Sequence, residues 1–238
     1  MSRPRRKTPR TRVQTAGLLA ASILLLSTGC SRDPATTTQP ATPPAISPRA
    51  TVEEMIRLRD QRLYTELQTL VVPQRSAEAV KTLMAVDAFL DANHRLGTWV
   101  RDNVGLGIAQ SVDMAELGQN LGVFSRGVEL LDERIAGDRA EVYYTIGKRM
   151  PVPVARLRLV LGSWRYDPEG GYSENLPEGF REMARGLDRA LEELTRGRPS
   201  ANAIRDDPAQ LAHSIQRHLT AGVALLSKAR AEAENDEP

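Results

Sequence analysis

Asp87, Asp91 and His94 are the three side chains whose types and spacing come closest to a metal or proton-relay site. At positions i, i+4 and i+7 they fall within about 60° of one another on an α-helix. Two carboxylates and an imidazole can bind a metal ion or relay a proton. The alternative is a solvated helix face, because Asp91 can pair with Arg95 one turn later. The three residues are therefore weak metal candidates, and we expect no bound metal.

Glu133 is the candidate for acid–base chemistry, because a predicted β-hairpin places it on the apolar face of a sheet. Under the pairing that a Gly137–Asp138 turn implies, Glu133 lies opposite Val142. A carboxyl group desolvated there would suit a general acid or base. A slip of one residue would move Glu133 to the solvent face, where it would have no such role.

Tyr144 and Trp164 lie on the same predicted apolar face and are the candidates for lining a ligand pocket. Core packing is the alternative, since large aromatic residues pack more often than they bind. The run Arg156, Arg158 and Arg165 alternates with the apolar positions. These arginines are expected either to form the solvent-exposed face of the sheet or to bind an anionic partner.

The chain lacks the short motifs of several enzyme classes. No Gly-rich phosphate loop, CxxC, HExxH, GxSxG or EF-hand loop occurs in its 238 residues. Nucleotide chemistry, zinc proteolysis and serine hydrolysis therefore lack their usual motifs, and we expect no cofactor.

Helices must position the first of these residues. A capping box at 51–54 predicts a helix that ends before Pro73. The apolar stripe that follows predicts a long helix over 76–103, with a break near Asn93 as an alternative. A shorter helix is expected over 111–121.

The hydrophobic period changes from helix to strand after Phe124. Alternation predicts hairpins over 130–146 and 154–167, the first pairing Ile135 with Ala140 and Leu131 with Tyr144. Helical stripes return near 180–194 and after Asp207–Pro208. The predicted class is α+β: N-terminal helices, an antiparallel one-sided sheet and two C-terminal helices.

The N terminus has the pattern of an export signal. Residues 1–12 hold six basic residues and no acid, and residues 16–26 are almost free of polar groups. Eleven helical residues rise about 16 Å, short of the roughly 30 Å of a bilayer core. A signal peptide is therefore favoured over a permanent transmembrane helix.

This segment closes with Leu26-Ser27-Thr28-Gly29-Cys30, which resembles the lipobox of bacterial lipoproteins. The resemblance implies a signal peptide over 1–29, acylation of Cys30 and anchoring in membrane lipid. Ser31 after the cysteine favours the outer membrane by the same resemblance, with the domain facing the periplasm. The alternative is an ordinary secretory peptide that leaves Cys30 as a free thiol.

The mature chain then divides into a tether, one domain and a tail. Residues 31–50 are rich in proline and threonine, which favours an extended tether after Cys30. One α+β domain is predicted over 51–230 and an acidic, frayed tail over 231–238. Removing the leader leaves 26 basic and 30 acidic side chains, a balance of −4. A nucleic-acid partner is therefore not expected.

The predicted strands also resemble the cone-shaped NTF2-like superfamily. The resemblance rests on Gly137-Asp138-Arg139-Ala140-Glu141-Val142 and on Gly162-Ser163-Trp164, and it covers about residues 51–168. It implies a curved sheet around a pocket. Such cones host isomerases, dehydratases and binding modules alike, so the fold does not name an activity.

Three functions follow from these observations. The first is a non-enzymatic envelope lipoprotein that binds a protein partner or a small ligand. The second is a small-molecule receptor or an isomerase- or dehydratase-like enzyme that uses Glu133 in an NTF2-like pocket. The third is a structural spacer.

Overall fold

The computed structural model describes residues 46–118, 121–147, 152–168 and 173–235. The predicted leader, Cys30 and residues 31–45 of the tether lie outside these residues, as does the end of the tail at 236–238. Residues 42–238 form one compact unit. The described residues of this unit build two hydrophobic clusters, of which Val52 is the first member in the chain, so this unit carries its own core.

The described residues form helices, then a sheet, then helices. Before the sheet lie α1 (Pro48–Asp60), α2 (Tyr64–Thr69), α3 (Pro73–Asn103) and α4 (Leu106–Ser111). The strands are β1 (Val128–Ala136), β2 (Arg139–Ile146), β3 (Val154–Val160) and β4 (Ser163–Tyr166). After them come α5 (Asn175–Thr195), the short α6 (Ala201–Asp206) and α7 (Ala209–Asn235). The predicted α+β class is confirmed.

The first predicted helix is two helices, and it begins earlier than expected. Ser47 caps α1 by accepting a hydrogen bond from the Ala50 amide, and Pro48 occupies the first turn. Thr51, expected as the cap, is buried inside the helix. Residues 48–50 therefore belong to the domain and not to the tether. Arg62, with φ of +58°, ends the run that periodicity predicted to continue.

The long helix α3 starts at Pro73 instead of Ser76 and runs unbroken past Asn93. Asn93 is buried, and its side-chain amide donates a 2.7 Å hydrogen bond to Asp113. The Asn93 side-chain oxygen accepts a 3.1 Å hydrogen bond from the backbone amide of Met114. The polar residue that suggested a break thus holds the following loop against the helix.

The helix predicted over 111–121 is absent from the part of that segment that is described. Instead α4 ends at Ser111 and is followed by 3₁₀ turns at Ala115–Gly118 and Gly122–Phe124. The Met114 amide donates to the Asn93 side chain of α3, which holds the chain against α3 where the predicted helix would continue.

The four strands form an open antiparallel meander in the order β1-β2-β3-β4. The predicted pairs Glu133–Val142 and Ile135–Ala140 are confirmed. The predicted pair of Leu131 with Tyr144 is wrong, because a bulge in β1 makes Leu130 the partner of Tyr144. The NTF2-like cone stays a prediction.

One face of the sheet is covered by helices. A first cluster packs α1 and the start of α3 on the sheet through Met55, Leu83 and Val142. A second cluster joins the rest of α3 to α5 and α7, with Phe89, Leu187 and Leu211 at its centre. Because α3 contributes to both clusters, it fixes the sheet relative to the C-terminal helices.

The tail prediction is wrong for its first half, since α7 continues to Asn235 instead of fraying from Ala231. In the part of the chain that is described, no helix combines the length and apolar character that crossing a bilayer requires.

Candidate functional site

A groove of about 840 Å³ opens between the helices and the start of the sheet. Its walls are the C-terminal half of α1, the middle of α3 and one face of α4. Its end is closed by residues 124–128, which lead into β1. Asp87, Asp91 and His94, which spacing alone selected, all line this groove.

Asp87 is a largely buried carboxylate in this wall and is bound by two neighbours. The Arg59 guanidinium donates a 2.8 Å hydrogen bond to one carboxylate oxygen, and the Tyr64 hydroxyl donates a 2.7 Å bond to the other. The exposed fractions of the Arg59 and Asp87 side chains are only 11% and 13%. Burial, followed by the bond to Asp87, raises the pKa of Tyr64 well above its ordinary value.

Asp91, one turn further along α3, binds a second arginine. Both terminal nitrogens of Arg62 donate 2.7 Å hydrogen bonds to its two carboxylate oxygens. This bidentate bond lowers the pKa of Asp91, and the charge of Arg62 adds to the effect. The expected Asp91–Arg95 pair is wrong, because Arg95 pairs instead with Asp188 of α5 at 2.6 Å.

The two carboxylates therefore form no metal site with His94. Among the residues described, no group of three His, Cys, Asp or Glu side chains is placed to hold a metal ion. Arg59 and Arg62 occupy the carboxylate oxygens that a cation would need. The alternative of a freely solvated face is also wrong for Asp87, which lies in a buried ion pair.

Other side chains give the groove a negative charge, a positive charge and neutral hydrogen-bonding groups. Asp60 and Arg126 line it with no hydrogen-bond or ion-pair partner within the described ranges. Thr98 and Gln110 add neutral donors and acceptors. The exposed His94 side chain also has no hydrogen-bond partner in these ranges, so no neighbour orients its imidazole as a base.

Glu133 does not line the groove. It lies opposite Val142 as predicted, but one of its carboxylate oxygens accepts a 2.8 Å hydrogen bond from the Arg49 amide at the start of α1. A carboxylate is favoured at a helix N terminus, so Glu133 is explained as a capping group. The Arg49 side chain also donates to the carbonyls of Leu130 and Leu131 at the bulge. The acid–base role predicted for Glu133 is not supported.

Tyr144 and Trp164 are core residues. Their exposed fractions are 4% and 7%, and both pack in the cluster between the sheet and α1. Neither lines the groove. Burial raises the pKa of Tyr144, which agrees with a structural position. The pocket predicted between them is therefore wrong, because α1 covers this face of the sheet.

Sequence reasoning missed Arg59, Arg62 and Tyr64, the residues that bind the two carboxylates. The signal was present as matched spacing, since Arg59 and Arg62 are three apart and Asp87 and Asp91 are four apart. Arg59 lies near the end of α1 and Arg62 in the turn after it, and they bind Asp87 and Asp91 of α3 in the same order along the chain. Recognising them required knowing that α1 packs beside the middle of α3.

The Asp91–Arg62 pair predicts a pH dependence of stability. Because Arg62 lowers the folded-state pKa of Asp91, the pair stabilises the fold above the unfolded-state pKa of about 3.9. The contribution is lost as the pH falls through the lower folded-state pKa. We expect Asp91→Asn to reduce Tm at pH 7 by about 1–3 °C, as is typical of exposed pairs, with the difference vanishing at an acidic pH below the lowered folded-state pKa of Asp91. Thermal unfolding followed by circular dichroism at both pH values measures it. A deficit that persists in acid would contradict the electrostatic origin.

The fold and the groove together define an α+β protein with a polar, charge-paired cleft on its helical side. Comparison with protein-family models, with curated proteins and with solved structures finds no match to this chain.

Proposed function

We propose that this chain is a bacterial envelope lipoprotein, held at a membrane through acylated Cys30, whose α+β domain binds a small polar ligand in the groove. The lipobox-like sequence at 26–30 and the proline-rich segment after it support the anchor. Ser31 favours the outer membrane, with the domain facing the periplasm. The groove supports the binding role.

The observation that carries the binding role is the pairing of charges in the groove. Catalytic acids and bases have pKa values close to the working pH. Here the bidentate Arg62 lowers the pKa of Asp91, and burial raises that of Tyr64, so both move away from neutrality. Charges that are neutralised and held rigidly suit recognition better than proton transfer.

The dimensions and lining indicate the ligand class. About 840 Å³ lies within the range of 300–1,000 Å³ that small-molecule sites occupy. Asp60 and Arg126 offer one unpaired charge of each sign among the described residues, and Thr98 and Gln110 add hydrogen-bonding groups. We infer a small, polar, water-soluble ligand rather than an apolar one.

Photo-crosslinking in intact envelopes tests the groove. Benzoylphenylalanine at position 98, in the groove wall, should give an adduct of a few hundred daltons on irradiation, detected by mass spectrometry of the purified protein. The same probe at position 192, exposed on α5, should give none. Gly97→Phe should abolish the adduct, because a side chain at Gly97 meets open space and would fill the groove without disturbing the core.

An adduct that is unaffected by Gly97→Phe, or equal at both positions, would contradict the groove as the binding site. An adduct of protein size would replace the small ligand with a partner protein. The anchor is tested separately, since mass spectrometry of the native N-terminal peptide should find Cys30 acylated. A retained leader or a bare thiol would overturn the anchor and leave the groove proposal standing.

A further inference from the structure

The end of the sheet where both hairpins turn exposes apolar side chains that nothing in the described structure covers. The β1–β2 turn at 137–138 and the β3–β4 turn at 161–162 lie side by side, because the Leu159 amide donates a 2.7 Å hydrogen bond to the Asp138 carbonyl. Leu161 is 97% exposed, Ile135 56% and Leu159 37%. We call these three residues the sheet tip.

Leu161 stands where its residue type is least expected. It occupies the first position of a two-residue turn with φ of +50°, and Gly162 follows with φ of +78°. Such a turn strongly favours asparagine, aspartate or glycine at both positions. A leucine there is strained and, in water, fully hydrated. No contact within the described structure explains why a strained, exposed leucine stands at this position.

Arginines occupy the first outward-facing row behind the tip. Arg139, Arg158 and Arg165 are direct neighbours across three adjacent strands. Like charges in directly opposed positions destabilise a sheet. Arg158 pairs with Asp167 at 2.7 Å, and Arg165 donates to the Thr69 carbonyl. The Arg139 side chain has no partner in the described ranges, so the row has a cation available for an external anion.

We propose that the sheet tip is a second membrane contact, in which Leu161 enters the surface of an anionic phospholipid bilayer while Arg139 binds a headgroup phosphate. Three arginines stand behind the apex, against two carboxylates, Asp138 in the turn and Asp167 beside Arg158, so the charge near the tip is net positive. The exposed Leu161 would reach the acyl chains while this charge faces the headgroups. Burial among the acyl chains would remove the apolar Leu161 side chain from water. Bound phosphate would weaken the repulsion between the arginines.

The size of the tip favours a bilayer over a protein partner. Three apolar side chains at one end of a sheet fall far short of the roughly 800 Å² per partner that a stable protein interface buries. A weak interfacial contact, in contrast, needs only a few inserted side chains. This inference does not depend on the ligand of the groove or on acylation of Cys30.

Vesicle binding by the unit 42–238 tests the proposal, since this unit has its own core and lacks Cys30. It should co-sediment with vesicles containing 30% phosphatidylglycerol and should be released from them by 0.5 M salt. Binding to pure phosphatidylcholine should be at least about fivefold weaker. Leu161→Asn should weaken binding by about tenfold, yet raise Tm slightly because asparagine suits the turn. A loss of binding therefore cannot be attributed to unfolding.

Two further variants separate the contributions of charge and insertion. Arg139→Gln should weaken binding about fivefold and reduce its salt dependence. Because 42–238 contains no cysteine, Leu161→Cys can be labelled with an environment-sensitive fluorophore, whose emission should shift to the blue on adding anionic vesicles. The same label on Val223→Cys, 48% exposed on α7, is the matched control and should not shift.

Equal binding by wild type and Leu161→Asn would overturn the proposal. So would equal shifts at positions 161 and 223, or no binding to anionic vesicles at all. A protein captured through the tip in place of lipid would overturn it as well.

Discussion

Gly186→Ala is expected to destabilise the protein by about 3 kcal/mol and to lower Tm by roughly 10 °C. Gly186 lies on α5 where that helix touches the backbone of α7, and a methyl group there would collide with the carbonyl oxygen of His218. Backbone atoms cannot rotate aside, so the two helices would have to separate. That separation would loosen the packing of Leu187 and Leu219 around the contact.

The same contact continues along the two helices. A methyl group on Gly222 of α7 would lie 2.8 Å from the carbonyl oxygen of Gly179 of α5, so Gly222→Ala should show a comparable loss. Gly97→Ala is the matched control, since Gly97 also lies inside a helix but its added methyl group would meet nothing within 4 Å. It should gain about 0.5–1 kcal/mol from helix propensity alone.

Thermal and urea unfolding of the three variants provide the measurement. Opposite signs for Gly186→Ala and Gly97→Ala would establish that close packing of α5 on α7, and not glycine as such, sets the effect. Equal stabilisation by both substitutions would contradict the close approach of the two helices.

Asp87→Ala should have the second large effect, a loss of about 3 kcal/mol. Removing one partner of a buried ion pair leaves the other charge without compensation. Here the substitution leaves the Arg59 guanidinium without its carboxylate, and the Tyr64 hydroxyl also loses its acceptor. Arg59 of α1 and Tyr64 of α2 both bind Asp87 of α3. The wall of the groove should therefore loosen together with the fold.

Asp91→Ala is the control for this prediction. Asp91 is also on α3 and also binds an arginine, but the side chains of its pair are 57% and 39% exposed, against 11% and 13% for the Arg59–Asp87 pair. Exposed pairs contribute at most about 1 kcal/mol. Tyr64→Phe should lie between the two, near 1 kcal/mol, because it removes one hydrogen bond and no charge.

Chemical denaturation of Asp87→Ala, Asp91→Ala and Tyr64→Phe under one set of conditions would rank the three. A loss below about 1 kcal/mol for Asp87→Ala would mean that water reaches Arg59 when its partner is removed. The groove wall would then be more open than its burial indicates.

The candidate site was only half predictable. Spacing on a single helix selected Asp87, Asp91 and His94, and all three line the groove. Their chemistry was not predictable, because the arginines that neutralise the carboxylates come from α1 and the turn that follows it. Glu133 is a second residue whose position in the sheet was predictable but whose chemical role was not. Its pairing partner was predicted from the turn at 137–138, but the helix N terminus that it caps is more than eighty residues earlier in the chain.

Features that arise from interactions between neighbours in the chain were predictable from the amino-acid sequence. Hydrophobic period set the α+β class and the order of helices and strands, and the Gly137–Asp138 turn set the pairing of Glu133 with Val142. Turn geometry and side-chain alternation depend on residues that are close together in the chain. They can therefore be predicted without a structure.

Three features depend on contacts between distant parts of the chain: the bulge that moves Leu131 out of register, the left-handed Arg62 that divides the first helix, and the partner of each carboxylate. Each of these depends on which surfaces meet in space. The Arg49 side chain holds the bulge carbonyls, and α1 can bring it there only once that helix has packed on the sheet. Such contacts join residues that are distant in the chain. The hydrophobic period of a helix or strand does not predict them.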